Sequence, residues 1–221
     1  MCPSLFSRVY YLCKEKNFME MELSQHTNRR FSIYPSGWWD EAKQRVVMRQ
    51  LPQQSQLIEG VFKYITSDVK RDATLQLRRM EHEPLEEQRR FKLLNFQYAT
   101  FSGVFSYRKA SSLVDRSPYI ALDIDNLASG EEAEALRDLL AHDRGVETAL
   151  CFVSPRGRGV KWIVELPTWC EGKTFREQFD ALRDYVGYNY GVDPDRSGSD
   201  VCRACFLCWD SGCFIHPKYL I

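Results

Sequence analysis

The sequence has no excess of either charge and no long apolar stretch. Thirty Lys and Arg residues balance thirty Asp and Glu residues, so the chain lacks the overall positive field of a strongly basic nucleic-acid binder. Any surface for nucleic acid must therefore be a local patch. No run of about 18 apolar residues occurs, which argues against a transmembrane helix and a membrane partner.

The sequence also lacks a recognisable export signal. Its first residues, Met-Cys-Pro-Ser-Leu-Phe-Ser-Arg, do not have the pattern of a secretory signal peptide. Eight cysteines in a protein that is not exported are expected to be reduced thiols. We therefore expect a soluble cytoplasmic protein. With 221 residues, 44% of them hydrophobic, the chain can form one large domain with or without an appendage.

The sequence indicates secondary structure less clearly in the first half of the chain than in the second. We interpret residues 1–44 as an N-terminal α/β extension, in which Phe31–Tyr34 alternates like a short strand. Residues 45–95 have a helical apolar period, interrupted near Pro84. The most basic part of the chain lies here, and it is either a solvated helix face or a phosphate contact: Arg78, Arg79, Arg89, Arg90 and Lys92.

After residue 118 the pattern alternates clearly between strands and helices. Two capping boxes, Ser129–Glu132 and Thr174–Glu177, predict the starts of two helices, and Gly145 is expected to end the first. Four segments have strand character: 119–124, 146–153, 160–166 and about 202–209. The order β-α-β-β-α-β predicts an α+β fold with a ferredoxin-like or RRM-like core at about 119–210, within a domain covering residues 45–221.

Two carboxylates stand at the end of the first of these strands. In Tyr119-Ile-Ala-Leu-Asp-Ile-Asp125, Asp123 and Asp125 are two residues apart and so share one face of an extended chain. Two neighbouring carboxylates repel, and a divalent cation relieves that repulsion. The alternative is a polar exit from the strand into a turn.

A glycine- and arginine-containing hairpin joins the next two strands. Ser154-Pro-Arg-Gly-Arg-Gly-Val-Lys161 combines two glycines, which permit close backbone approach, with the cations Arg156, Arg158 and Lys161. An ordinary hairpin turn with solvated arginines is the alternative. Carboxylates for a metal beside a cationic loop for phosphates are the groups that nucleotidyl transfer requires.

At these residues the sequence resembles the archaeo-eukaryotic primase superfamily, and within it the VirE N-terminal-like, primase-type domains of bacterial mobile elements. The resemblance extends from about residue 46 to Asp210. It rests on Asp-x-Asp after a strand, on the hairpin Ser154–Lys161, and on Asp195-Arg-Ser-Gly-Ser-Asp-Val-Cys-Arg203 followed by Cys205-Phe206. Lys92, Phe101-Ser-Gly103 and Arg108 also fit the family's pattern before the first motif.

The resemblance implies a primase or polymerase-like nucleotidyltransferase of a mobile-element replication protein. It implies that Asp123, Asp125 and a third carboxylate hold Mg²⁺ or Mn²⁺, with Asp195 favoured and Asp200 as the alternative. Ser154, Arg156, Arg158 and Lys161 would bind nucleotide phosphates, and Arg203 a phosphate or the template. The implied partners are a nucleoside triphosphate, single-stranded DNA and a helicase-like module.

Lys161 departs from the family's pattern, because active primases usually have a histidine there. Lysine keeps a positive charge for phosphate but is a flexible point charge instead of a planar donor. Two interpretations therefore remain. The domain is either an active nucleotidyltransferase or a degenerate module that binds nucleotide or nucleic acid without synthesis.

A cysteine cluster near the end of the chain suggests a third function. Cys202, Cys205, Cys208 and Cys213 have spacing that is compatible with zinc or an iron–sulfur cluster. In a strand, however, Cys205 would point away from Cys202 and Cys208. We favour free cysteines that fill a strand core.

Overall fold

The computed structural model describes residues 29–220 and shows a mixed α+β chain, as the sequence predicts. The strands are β1 (Phe31–Tyr34), β2 (Trp38–Asp40), β3 (Arg45–Val47), β4 (Gln54–Gln56), β5 (Tyr98–Thr100), β6 (Gly103–Phe105), β7 (Leu113–Arg116), β8 (Tyr119–Ile124), β9 (Thr148–Val153), β10 (Val160–Glu165), β11 (Cys205–Phe206) and β12 (Phe214–Ile215). The helices are α1 (Ile58–Thr66), α2 (Arg71–Arg79), α3 (Leu85–Asn95), α4 (Gly130–Ala141) and α5 (Phe175–Tyr190). None of these helices is long and apolar enough to cross a bilayer.

The N-terminal part of the expectation is tested only from residue 29 onwards, and it differs from the structure in one respect. Residues 1–28 of the predicted extension lie outside the described residues. The helical period predicted from residue 45 begins only at α1, because β3 pairs with β2 and β4 pairs with β1. The β2–β3 hairpin thus bridges the boundary that we predict after residue 44. The break near Pro84 is confirmed, since it separates α2 from α3.

The capping signals of α4 and α5 are confirmed. The backbone N–H of Glu132 donates to the Ser129 hydroxyl at 3.1 Å, and Thr174 and Glu177 form a complete capping box. The predicted end of α4 at Gly145 is wrong, because the helix ends at Ala141. Asp143 turns the chain there, accepting hydrogen bonds from the backbone N–H groups of the two residues Gly145 and Val146.

Two four-stranded antiparallel sheets organise the described chain. One has the order β11-β5-β1-β4 and the other β12-β9-β10-β8, and the pairs β2–β3 and β6–β7 form separate hairpins. In the second sheet Ile120 and Leu122 pack in the same apolar cluster as residues of α4 and α5, whereas Tyr119 packs with Phe31 of the first sheet. Side chains alternate along β8, so Asp123 lies on the face turned away from α4 and α5.

The last predicted strand does not complete the second sheet. Instead of extending over about 202–209, it is reduced to β11, which pairs with β5 in the first sheet. The place beside β9 is taken by β12. Asp210 explains the change of direction, because its carboxylate accepts the backbone N–H of Val153 at 2.7 Å and pairs with Arg137. β8 pairs with β10 and lies at the end of the sheet, whereas the ferredoxin-like arrangement that we predict would place this strand at the centre.

Candidate functional site

Three carboxylates converge where β8 ends. Asp123 and Asp125 come from β8 and the residue after it, and Asp195 joins them from the segment that follows α5. The backbone N–H of Asp195 donates to the carbonyl of Asp123 at 2.8 Å, which fastens this segment to the strand. One ligand oxygen of each carboxylate lies within 4.8 Å of the others. This separation allows all three to coordinate a common ion or a close pair of ions.

Of the two candidates for the third carboxylate, the fold brings Asp195 to the pair. Asp200 has a structural role, since its carboxylate accepts the backbone N–H of Cys202 at 3.0 Å. Asp195 begins a 3-10 turn, and the N–H of Ser197 donates to its carboxylate at 3.0 Å. Burial would raise the pKa of Asp195, but these hydrogen bonds and the charge of Arg203 hold that pKa below its usual value.

Lys161 lies directly across the β-ladder from the first carboxylate. Lys161 of β10 and Asp123 of β8 are register partners, and the lysine ammonium forms an ion pair with Oδ1 of the aspartate. Burial lowers the pKa of Lys161, but Asp123 and Asp125 outweigh it, so the pKa is raised and the lysine stays charged. Oδ1 of Asp123 is buried and, apart from this ion pair, accepts no hydrogen bond from the described residues.

The hairpin between β9 and β10 lies against the carboxylates. The backbone N–H of Ser154 donates to the carbonyl of Gly159 at 2.7 Å, and Gly157 adopts a left-handed conformation with φ of +81°. A Cβ atom on Gly159 would lie 3.0 Å from Oδ1 of Asp125 and 3.1 Å from the Ser154 hydroxyl. Glycine at this position therefore allows the close approach that brings the hairpin to the site.

Most of the predicted phosphate-binding residues surround one cavity beside the carboxylates. The cavity has a volume of about 510 Å³ and is lined by Asp123, Asp125, Ser154, Arg156, Lys161 and Arg203 among others. Arg203 also donates to Asp195 at 2.9 Å. Arg158 is the exception, because it pairs with Glu81 at 2.8 Å and donates to the carbonyl of Ala128. The structure thus separates the two arginines of the hairpin.

Helix α3 adds a cation whose role in the cavity the basic pattern alone did not predict. Lys92 lines the cavity, and its ammonium lies 5.0 Å from the centroid of the Phe206 ring. Burial, followed by the charges of Lys161 and Arg156, lowers the pKa of Lys92 to about 8. In the sequence, only the family resemblance singles out Lys92, which fits the pattern before the Asp-x-Asp motif. The basic run around Lys92 has the composition of a solvated helix face. Arg89 and Arg108 also line the cavity.

The cysteine cluster is built differently from a metal site. Cys205, Cys208 and Cys213 are buried in the core that joins the two sheets. Burial raises the pKa of Cys205 and of Cys208 to about 12, so both are protonated thiols near neutral pH. Within residues 29–220, the three aspartates are the only group of three or more potential ligands that converge. The absence of a bound metal at these cysteines stays a prediction.

Comparison with known proteins yields one family. Residues 92–214, more than half of the chain, match the model of the family described as BT4734-like, N-terminal domain. The matched range begins at Lys92 and includes the three carboxylates and the hairpin. No curated protein and no solved structure matches the chain.

Proposed function

The chain belongs to the family of BT4734-like N-terminal domains, and we propose that this domain binds a nucleoside triphosphate through divalent metal as a primase-type nucleotidyltransferase acting with single-stranded DNA. The observation that carries the proposal is the meeting of opposite charges in one cavity. Asp123 and Asp125 line this cavity together with Lys92, Arg156 and Lys161. Asp195 lies beside the cavity, with a carboxylate oxygen within 4.8 Å of the other two carboxylates. A site with carboxylates alone would suit a metal ion, and a site with lysine and arginine alone would suit an anion. A site that contains both suits a complex of a metal ion with a phosphate.

The residues fit Mg²⁺ or Mn²⁺. Both ions prefer oxygen ligands, and three carboxylates within 4.8 Å supply them, with no histidine or cysteine in this group among residues 29–220. The buried Oδ1 of Asp123, paired with Lys161 alone, is an oxygen with unused acceptor capacity. When bound there, the metal would add positive charge that bridges the carboxylates and the phosphate oxygens.

The protein's own cations complete the phosphate site. Arg156 is exposed at the cavity and forms no ion pair with an acidic residue in the described range, so its guanidinium is free for bidentate contact with phosphate. The Ser154 hydroxyl supplies a neutral donor on the same hairpin. Arg203 remains partly available to a phosphate or a template strand, because the ion pair with Asp195 uses only part of its five N–H donors.

The proposed kinship with the archaeo-eukaryotic primase superfamily, closest to the VirE N-terminal-like domains, is supported by the order and placement of three motifs. The Asp-x-Asp pair ends β8, the hairpin joins β9 to β10, and the third carboxylate follows α5. We extend the proposal to the fold. The unit β8-α4-β9-β10-α5 would be an RRM-like core whose last strand is shortened into β11. A helicase-like module is the partner that such a replication domain would serve.

A degenerate binding module is the second candidate, and the Lys161–Asp123 ion pair favours it. The lysine ammonium contacts the carboxylate oxygen that a metal ion would use. A metal must therefore displace the lysine, at a free-energy cost that an active-site histidine would not impose. In this alternative the domain binds nucleotide or single-stranded DNA and synthesises nothing.

Calorimetric titration of a nucleoside triphosphate, with and without Mn²⁺, tests the proposal. We expect binding that depends on Mn²⁺ and is abolished by Asp123→Ala combined with Asp125→Ala. Asp115→Ala, which removes an exposed aspartate of β7, is the matched control and should bind like the wild type. Dinucleotide synthesis on single-stranded templates then separates the two candidates. No binding of nucleotide or nucleic acid at low salt would refute both.

A further inference from the structure

A second groove lies between the β2–β3 hairpin and helix α3. It has a volume of about 440 Å³. Its lining residues come from the two sides in similar number: Trp39, Gln44, Arg45 and Val46 from the hairpin, and Glu86, Glu87, Arg89, Arg90 and Leu93 from the helix. Except for Leu93, these residues lie outside the range that matches the family, residues 92–214. The sequence offers phosphate contact as one interpretation of Arg89 and Arg90, and it assigns no role to the hairpin residues of the groove.

This hairpin–helix groove adjoins the carboxylate cavity. Arg89 and Leu93 line both depressions, so the two share one wall of α3. A ligand that extends out of the cavity along α3 would therefore reach the groove past Arg89 and Leu93. The groove is then an extension of the site that holds the three carboxylates.

The groove combines an aromatic ring with exposed cations. The guanidinium of Arg90 lies 5.4 Å from the centroid of the Trp39 ring. Arg45 and Arg89 are exposed and form no ion pair with any acidic side chain of residues 29–220. Arg90 has only a long contact with Glu87, 3.5 Å between two exposed groups. Three arginines thus outnumber the two glutamates of the groove.

We propose that the hairpin–helix groove binds a segment of single-stranded nucleic acid that continues from the carboxylate cavity. The continuation into the cavity rests on the proposed function. Single strands are held by cations that follow the phosphates and by aromatic rings on which bases stack. Trp39 is the stacking ring, and Arg45 and Arg90 contact the phosphates on either side of it.

A single strand suits the groove better than a duplex does. Its bases are unpaired, so one can leave the neighbouring stack and lie against Trp39. The groove holds one aromatic ring and not a row of them, which predicts weak sequence preference and contact with one or two nucleotides. For a single strand, the logarithm of the affinity falls linearly with the logarithm of the salt concentration, with a slope set by the number of phosphates contacted, because counterions are released on binding. A peptide partner would not give this slope.

The test compares binding of short and long oligonucleotides by fluorescence anisotropy. Labelled oligothymidylates of 3 and 12 nucleotides are titrated with the wild-type chain at low salt. Trp39→Ala removes the stacking ring, and Arg45→Ala combined with Arg90→Ala removes two cations from exposed positions. Trp38→Ala is the matched control. Trp38 precedes Trp39 and so projects from the opposite face of β2, where Arg49 lies 4.5 Å from its ring.

We expect Trp39→Ala to weaken binding of the 12-mer between about fivefold and a hundredfold and to leave the 3-mer unchanged. The double arginine variant should lower the salt slope of the 12-mer by about one to two, since each phosphate contact contributes about 0.7. Trp38→Ala should bind both oligonucleotides like the wild type. Circular dichroism and the melting temperature establish that each variant is folded.

Several outcomes would overturn the inference. One is that Trp39→Ala lowers the affinity for the 3-mer and the 12-mer equally. Another is that Trp38→Ala and Trp39→Ala lower the affinity for the 12-mer equally, which would indicate damage to the hairpin. If Trp39→Ala does not fold, an unchanged salt slope in the double arginine variant overturns it independently. Failure of the proposed function looks different: triphosphate with Mn²⁺ does not bind, while the 12-mer still depends on Trp39.

Discussion

The ammonium of Lys161 contacts the carboxylate of Asp123 across the antiparallel pair β10–β8. Lys161 ends the cationic hairpin segment Ser154–Lys161 and pairs with one of the three carboxylates that we propose as metal ligands. In the free protein it neutralises a carboxylate. In the proposed complex it would turn to phosphate while a metal takes its place.

Replacing Lys161 by methionine should affect metal and nucleotide in opposite directions. Mn²⁺ alone should bind more tightly to Lys161→Met, by roughly tenfold, because the carboxylate of Asp123 no longer has a competing cation. Triphosphate binding should weaken by about 1–3 kcal/mol through loss of a charge-assisted contact. Titration of Mn²⁺ by electron paramagnetic resonance and of triphosphate by calorimetry measures both. Lys161→Arg, which keeps the charge, should not tighten Mn²⁺ binding, and tightening there would contradict this explanation.

Asp195 and Asp200 are the two candidates for the third carboxylate, and substituting each in turn should distinguish their roles. Asp195→Asn should weaken Mn²⁺ binding at least tenfold, because it removes one of three converging charges. Asp200→Asn should leave Mn²⁺ affinity within about twofold and instead lower the melting temperature, since its carboxylate holds the backbone N–H of Cys202. The reverse pattern would show that Asp200 moves into the site.

The affinity for triphosphate should fall as the pH rises through about 8. Lys92 has a pKa of about 8 in the free protein because of burial and neighbouring cations. Below that pH it is charged with or without ligand. Above it, binding must take up a proton, so affinity falls by up to about tenfold per pH unit until the pKa of the bound state is reached. The raised pKa of Lys161 keeps this lysine charged throughout the same window.

Calorimetry between pH 7 and 9 with Mg²⁺, in two buffers of different ionisation enthalpy, measures this proton uptake. Lys92→Met is the control and should show neither the pH dependence nor the uptake. The same variant should be more stable than the wild type at pH 7. Burial penalises the charged lysine there, and this penalty is lost only as the pH rises from about 8 towards the ordinary lysine pKa. A wild-type affinity that is constant over the range would refute the role of Lys92.

The two arginines of the hairpin should differ in their contribution to binding. Arg156→Ala should weaken triphosphate and single-stranded DNA by about 1–3 kcal/mol, because this arginine lines the cavity. Arg158→Ala should change affinity by less than about 0.5 kcal/mol, since its guanidinium is held by Glu81 outside the cavity. The two exposed substitutions are matched in size and charge. Equal effects in the binding titration would mean that Arg158 leaves Glu81 when ligand binds.

Gly159→Ala should disturb the site and the fold together. The added Cβ would collide with the backbone carbonyl oxygen of Ile124 in β8 and would also lie 3.0 Å from Oδ1 of Asp125, so the hairpin must move away from β8. We expect a loss of about 1–3 kcal/mol in the free energy of unfolding, measured in urea, and weaker Mn²⁺ binding. Gly130→Ala at the start of α4 is the control, because its nearest non-neighbouring atom is 3.5 Å away. Gly130→Ala should leave the free energy of unfolding unchanged or raise it slightly.

Local patterns were sufficient for the parts of the fold that depend on nearby residues. The starts of α4 and α5 follow from capping boxes, in which hydroxyl and carboxylate are three residues apart and need no tertiary partner. The alternation of side chains along a strand places Asp123 and Asp125 on one face wherever β8 lies. The family match likewise covers this local succession of motifs.

Long-range contacts decided the rest, because they depend on chain segments that sequence spacing does not bring together. The sequence offers both Asp195 and Asp200 as the third carboxylate. In the structure the backbone N–H of Asp195 donates to the carbonyl of Asp123, which brings Asp195 to the pair. The segment after Asp200 pairs with β5 instead of β8, and Asp210 then anchors the following chain to β9. Lys92 belongs to the cavity only because α3 packs above the carboxylates. The sequence pattern around a basic residue on a helix is the same whether that residue faces water or a ligand.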